Sequence, residues 1–349
     1  MPFKREMSKV LKKGFLYILL STVLFSTMEI ALKVVSNDFN PIQITFLRFI
    51  IGFILLIPLA IKGLRNRKCH LEIKDFAFFA LTGFICVVVS MVLYQMAILN
   101  SQASVVAVLF SCNPVFVVLF AFLMLHEKIY RHTVLSLIVS IIGIIVIMNP
   151  LHMSGSAIGF VLTILSAVTF SLYSIISRKR SERYGGIALT CFSFLFGSME
   201  MLILIFITKI NGVSVFLTQI GLKSFAAIPI LQGINGHSLP SLIYIGIFVT
   251  GLGYTFYFLA MEAPSTATAS LVFFIKPALA PILALIIIHE PITINMIIGI
   301  MLIIVGSLIS FIPGFKMRKK KGLIEDIKED LQMAESEFKA EIDETTSKP

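Results

Sequence analysis

The chain has 349 residues, 57% of them hydrophobic and only 14% charged, with a mean hydropathy of +0.96 and a formal net charge of +10. So few polar residues cannot coat a soluble protein of this length, which makes the chain an integral membrane protein. A nucleic-acid partner is not implied, because the positive charge follows the loops, as described below.

About 30 Å of hydrocarbon takes roughly 20 helical residues to cross, and ten apolar runs meet that need: 14–35, 41–61, 76–99, 103–125, 131–149, 156–177, 187–208, 241–260, 265–288 and 292–312. With no water to satisfy backbone groups in lipid, each is expected to be a helix. A basic stretch, residues 1–13, precedes the first. That first run carries Thr22, Ser26, Glu29 and Lys33 on one face, a polar stripe aimed into the bundle. Lys33 reads equally as part of the stripe or as a side chain snorkelling to the outer interface. Glu29 is deeper, a candidate to carry a proton or bind a substrate amine. The second run holds Arg48, and the third holds Tyr94 and Gln95. A buried Arg stays charged, so it is a poor proton carrier but a good anchor for a carboxylate or phosphate. The fourth run contains Asn113-Pro114 and ends at Glu127; the seventh contains Glu200, a second proton-coupling candidate and a pairing partner for Arg48. Arg48 pairing with Glu200 or Glu29 and Arg48 contacting substrate are both open readings.

Residues 209–240 form an insertion whose apolar stretch, Val213 to Leu231, is read as an interfacial helix outside the membrane in preference to an eleventh crossing. The eighth run holds Tyr254 and Tyr257. In the ninth, Lys276 sits near the midplane with Pro277 after it, a charge beside a break in the helical ladder. It is expected to line a substrate cavity facing Asn113; a structural ion pair is the alternative. Glu290 ends that run as Glu127 ends the fourth, and both are read first as turn devices at a helix N-terminus. Gly306 and Ser310 on the tenth run permit close packing within the chain and leave room for a homodimer. Beyond it lie basic residues, Lys316 to Lys321, then an acidic tail with helical periodicity.

Lys and Arg fall in alternate connections: five before the first run, five in 62–74, two in 128–131, four in 178–183 and eight after the last. That bias places both termini in the cytoplasm, with the opposite loops outside.

The chain also repeats. Tyr94, Ala97, Pro114, His126-Glu127, Gly143 and Pro150 recur 163 residues later as Tyr257, Ala260, Pro277, His289-Glu290, Gly306 and Pro313. Upstream the spacing is 145, pairing Phe49 with Phe194, Gly52 with Gly197 and Ser26 with Ser171. Five helices per copy is odd, so the second copy enters from the opposite side. The fold class is therefore all-α integral membrane, ten transmembrane helices as two inverted five-helix repeats. The divisions are 1–13, a first repeat 14–150, a second repeat 151–313 and a charged cytoplasmic tail 314–349. Internal duplication of this kind marks transporter folds with a substrate site at the repeat interface. Glu29 maps to Ser174, Arg48 to Ser193 and Lys276 to Asn113, so the charges break the symmetry and nominate the site.

Four scattered cysteines give no disulfide or metal framework, and the six histidines lie in or beside loops with no hydrolase, metalloenzyme or nucleotide-binding motif. No enzyme activity, cofactor or metal is expected. Ten helices in two repeats, Arg48 within Phe46-Leu47-Arg48-Phe49, and the doubled stretches 114–127 and 277–290 resemble the drug/metabolite transporter superfamily, specifically its EamA-type branch. The resemblance covers about residues 14–312. It implies alternating access by an inverted-repeat bundle, often exporting amino acids or related compounds; related branches carrying sugar phosphates use late-helix basic residues, which adds weight to Lys276. The expected function is secondary transport of a small polar metabolite, an amino acid or organic anion, across the cell membrane. A proton or ion would be coupled at Glu29 or Glu200, and substrate bound by Lys276, Asn113, Arg48, Tyr94, Tyr257, Tyr254 and Gln95. The alternative is a ligand-binding receptor that signals through its tail.

Overall fold

The structure is a computed structural model that describes residues 2–127, 129–148, 157–262, 271–306 and 308–309. Pro150, Ser310, Pro313 and the tail from residue 314 fall outside the described residues. Among those described the protein is all helix. Eight helical segments are long and apolar enough to span a membrane: Gly14–Val35, Pro41–Asn66, Ile73–Asn100, Ala103–Leu125, Arg131–Met148, Ala157–Arg178, Gly186–Thr208 and Leu239–Ala260. They are called here spans 1 to 8. Two shorter apolar stretches, Ile275–Ile288 and Ile294–Gly306, stand at the ninth and tenth expected positions. Helix starts agree with the capping chemistry where it is visible: Asn40 accepts from the Ile42 amide, Gln43 accepts from the Asn40 amide, and Pro41 occupies the first turn.

Four spans depart from a continuous α-helix. Span 1 parts at Thr27, where one helix ends at Ser26 and the next begins at Met28. The hydroxyls of Thr22 and Thr27 donate to carbonyls three or four residues back, a contact that bends helices. Span 4 parts at Ser111-Cys112, because Pro114 has no amide to bond back to Phe110 and so opens the next helix, Asn113–Leu125. Spans 3 and 8 each contain a π-helical stretch, Phe84–Ser90 and Tyr244–Leu252. Such stretches are rare and gather at functional sites. Subtracting 163 from the second gives 81–89, which overlaps the first.

Packing of the middle spans carries the same spacing. A Cβ on Gly52 would meet Thr250 Cγ2 at 2.8 Å, and one on Gly197 would meet Val87 Cβ at 2.6 Å. Gly197 is Gly52 plus 145, and Thr250 is Val87 plus 163, so the two contacts exchange places between the halves. Gly83 comes closer still, 2.5 Å from a built Cβ to the Gly197 amide nitrogen. At the centre the repeat mates Phe49 and Phe194 pack edge to face on each other, centroids 4.6 Å apart, a pair worth about 0.5–1.5 kcal/mol beyond its area. Gly306, by contrast, lies against Ser136 and Ser140 of span 5, where a Cβ would stand 2.5 Å from Ser140 Oγ, so its lack of a side chain serves packing within the chain.

The insertion is not an eleventh crossing. Val213 to Leu231 contains the nine-residue helix Asn211–Gln219, a 3₁₀ turn at Lys223–Phe225 and irregular backbone. Val215 and Phe216 of that helix are exposed, the pattern of an interfacial helix. The rest is tied down on the turn between spans 1 and 2. Gln43 donates to the carbonyls of Ile230 and Gln232, Asn40 donates to that of Ser224, and Gly233, at φ +85°, leaves no room for a side chain against the Asp38 carbonyl.

Candidate functional site

Span 1, span 3 and the Leu271–Ile288 helix converge on one carboxylate. Lys276 Nζ lies 2.6 Å from Glu29 Oε1, and the Tyr94 hydroxyl donates to the same oxygen. Glu29 and Tyr94 are fully buried and Lys276 is 5% exposed. The Phe110 ring, edge to face with Tyr94, lies 5.8 Å from the ammonium. An ammonium near an aromatic face gains roughly 0.5–2 kcal/mol. The second carboxylate oxygen, Oε2, has no hydrogen-bond partner among the described residues. Taking one partner from a buried pair costs about 3–5 kcal/mol, because the other charge is then stranded.

The geometry follows from local sequence. The kink at Thr27 reorients the last two turns of span 1, which carry Glu29, and Thr27 Oγ1 is fixed there 2.6 Å from the Tyr244 hydroxyl. The π stretch before Met91 resets the phase of span 3 and delivers Tyr94 to the same point. Lys276 arrives on a helix that carries Pro277 and Pro281 yet runs unbroken from Leu271 to Ile288.

Arg48 is placed differently. It is 1% exposed, its guanidinium stacks 4.5 Å from the Phe49 centroid, and Nη1 approaches Met28 Sδ at 3.7 Å. Nε and Nη2 have no hydrogen-bond partner among the described residues. The expected pairing with Glu200 or Glu29 does not form: Glu29 is taken by Lys276, and Glu200 is half-buried with Oε2 unpartnered. Likewise no hydrogen bond joins Lys276 to Asn113. Asn113 is buried at the interruption of span 4, where its carbonyl accepts from the Ser171 hydroxyl at 3.1 Å. Gln95 is fully buried, and neither amide atom has a hydrogen-bond partner among the described residues. Tyr254 and Tyr257 are partly buried in a ring cluster with Phe25, and Tyr254 also meets Phe194 at 5.2 Å. The structure thus brings Glu29, Lys276 and Tyr94 into direct contact, with Arg48 and Tyr254 within electrostatic reach of one another; it leaves Asn113 and Glu200 outside that contact.

Lys33 does not snorkel. Its ammonium donates to the carbonyls of Ile98 and Ser101, both at 2.7 Å, closing the C-terminal end of span 3. Just beyond, Glu290 accepts from the Ala103 and Ser104 amides and the Ser104 hydroxyl at 2.7–2.9 Å. It is a cap, as its type suggested, but for span 4 rather than for the helix that follows it. Two long side chains from distant parts of the chain thus grip the turn at 98–104. A second clasp joins 67–75 to 180–184. Asp75 accepts from Tyr184 at 2.6 Å and pairs with Arg183 at 3.1 Å, while Arg67 donates to the Glu182 carbonyl. Nothing in the sequence pairs these loops, although Asp75 stands out as an acid at the end of the basic connection 62–74. Among the described residues no group of three His, Cys, Asp or Glu side chains could hold a metal ion.

A bundle of apolar spans folded around buried charges is a multi-pass membrane protein, and comparison with known proteins says of which kind. The model of the EamA-like transporter family matches residues 12–149 and again 157–312. The chain belongs to that family, the EamA-type branch of the drug/metabolite transporter superfamily. An uncharacterized transporter of Clostridium kluyveri is 39% identical over 86% of this chain and 94% of its own length. The uncharacterized transporter YoaV of Bacillus subtilis is 24% identical over 88% of this chain and 99% of its own. The pseudopaline exporter CntI of Pseudomonas aeruginosa is 29% identical over 50% of this chain and 60% of its own. A solved crystal structure superposes with a TM-score of 0.59 at 16% identity, covering 88% of this chain and 99% of that one, a likeness of fold alone.

Proposed function

We propose that this transporter moves a small polar metabolite, an amino acid or organic anion, by secondary active transport, in the direction of export, with Glu29 as its proton-coupling group. The observation that carries the reading is the buried contact of Glu29 with Lys276 and Tyr94, which joins the first and ninth helical positions through a bond one proton can undo. In the reading, the halves 14–150 and 151–313 lie inverted in the membrane with both termini cytoplasmic, and rock about the centre where Phe49 meets Phe194. Substrate enters among Lys276, Arg48, Tyr94, Tyr254, Tyr257, Gln95 and Asn113. Protonation of Glu29 breaks the pair and loss of the proton restores it, which ties proton movement to the change between the two access states. Export is favoured by the likeness over half of the chain to CntI, an exporter.

The test is flux into proteoliposomes for a panel of amino acids and organic acids under an imposed proton gradient. At least one should accumulate saturably, and Glu29→Gln should abolish gradient-driven accumulation while leaving substrate exchange. A flux that neither saturates nor responds to the gradient sinks the reading.

A further inference from the structure

A count of buried charge around the central aromatic pair does not close. Arg48 and Lys276 bring two positive charges and Glu29 one negative, and Glu29 is bonded to Lys276. Every other titratable group that acts on Arg48, namely Tyr254, Tyr94 and Cys86, is neutral in its ordinary form. A guanidinium keeps its charge in any protein environment, so Arg48 is a permanent cation, 1% exposed, with Nε and Nη2 lacking partners among the described residues. Nε and one Nη of a guanidinium form the fork that grips a carboxylate with two parallel hydrogen bonds. The two unpartnered nitrogens are that edge. The opposite side is occupied: Nη1 faces Met28 Sδ, and the plane is stacked near the Phe49 ring. The Phe49 ring beneath the plane packs on Phe194, which in turn meets Tyr254, so the guanidinium sits on an aromatic cluster.

We propose that the Nε/Nη2 edge of Arg48 is a fixed binding site for the carboxylate of a small organic monoanion, separate from the Glu29–Lys276 switch. The inference deepens the transport reading and rests on it for the view that this ligand is cargo. It assigns different work to two cations that the sequence alone makes equivalent. Lys276 is released and recaptured by Glu29, whereas Arg48 offsets exactly one negative charge in every state. The group this edge takes is therefore a carboxylate, and neutral molecules are poor ligands.

Thermal unfolding of the purified full-length protein in detergent tests this. The probes are acetate, benzoate and phenylacetate against acetamide, benzamide and phenylacetamide, at ionic strength held constant with sodium HEPES, with sodium chloride as a separate arm. The acids should raise the unfolding temperature saturably and their amides should not. Arg48→Met should weaken the acid response at least about tenfold, the loss expected for a hydrogen bond to a charged group, and Arg48→Lys should recover only part of it. If Arg48→Met fails to fold, the acid-to-amide contrast in wild type and its reduction in Arg48→Lys decide the matter. Acids and amides acting alike, an acid response unchanged in the variants, or a saturable response to chloride with inert acids would each overturn the proposal. Because binding is read without flux, saturable acid binding with no transport would instead count against the transport reading, and gradient-driven flux of neutral substrates alone would count against this site.

Discussion

At residues 126–127 and again at 289–290 the chain makes the same turn. His126 and His289 take left-handed φ values of 53° and 55°, and the amides of Glu127 and Glu290 each bond 3.3 Å back to Ala121 and Ala284. Yet Glu127 reaches out to an exposed ion pair with Arg178 at 3.0 Å, while Glu290 caps span 4 with three hydrogen bonds. The contrast extends inward: Gly52 and Gly197 do the same job in both halves, but Glu29, Arg48 and Lys276 stand where the other half has Ser174, Ser193 and Asn113. Backbone devices tolerate duplication because they depend only on local shape. A buried charge needs one partner, and doubling it would demand a second in the same space.

If that division is right, substitutions at shared positions should damage folding and those at unshared positions should damage transport. The largest effect is expected from Gly83→Val. Its Cβ would stand 2.5 Å from backbone of span 7, backbone cannot yield as a side chain can, and the helices must part. The expected result is loss of folded protein on size-exclusion chromatography. Lys276→Ala comes next and should leave a folded protein, since Glu29 can take a proton instead of staying a stranded anion. Gradient-driven transport should be lost, because no ammonium remains for Glu29 to release and recapture. Lys276→Ala combined with Glu29→Gln should cost no more than the worse single change, because the two act as one unit. Additive losses in that flux measurement would break the assignment of both residues to a single switch.

Much of this was legible beforehand because its causes are local. Span limits follow from apolar length: the runs 14–35 and 103–125 coincide with spans 1 and 4, although each span is made of two helices and the first helix of span 1 begins at Pro2. Glycines announce close approaches by their covalent structure, but proline marks a break less surely: span 4 is interrupted before Pro114, whereas the helix that carries Pro277, where a break was expected, runs on. Partner choice was not legible. That Lys276 takes Glu29 and leaves Arg48 unpaired depends on the rotation of three helices about their axes. The Thr27 kink and the Phe84–Ser90 π stretch set that rotation, and no residue pattern forecast either. Glu290 shows the same limit: its role as a cap was readable from residue type, while its partners lie 186 and 187 positions away.

The comparison of the two turns is sharpened by the smallest expected effects. Glu290→Gln keeps the shape of the side chain but removes the charge from a helix N-terminus that it serves with two amides and a hydroxyl. Caps and dipole contacts of this kind contribute about 0.5–2 kcal/mol, so the unfolding temperature should drop measurably. Glu127→Gln removes an ion pair whose side chains are 47% and 56% exposed, and exposed pairs contribute only about 0–1 kcal/mol. Thermal unfolding of the two variants side by side should show a clear shift for position 290 and one near zero for 127. Equal shifts would mean that the carboxylates are retained for the turn they share, and that the cap on span 4 adds nothing to it.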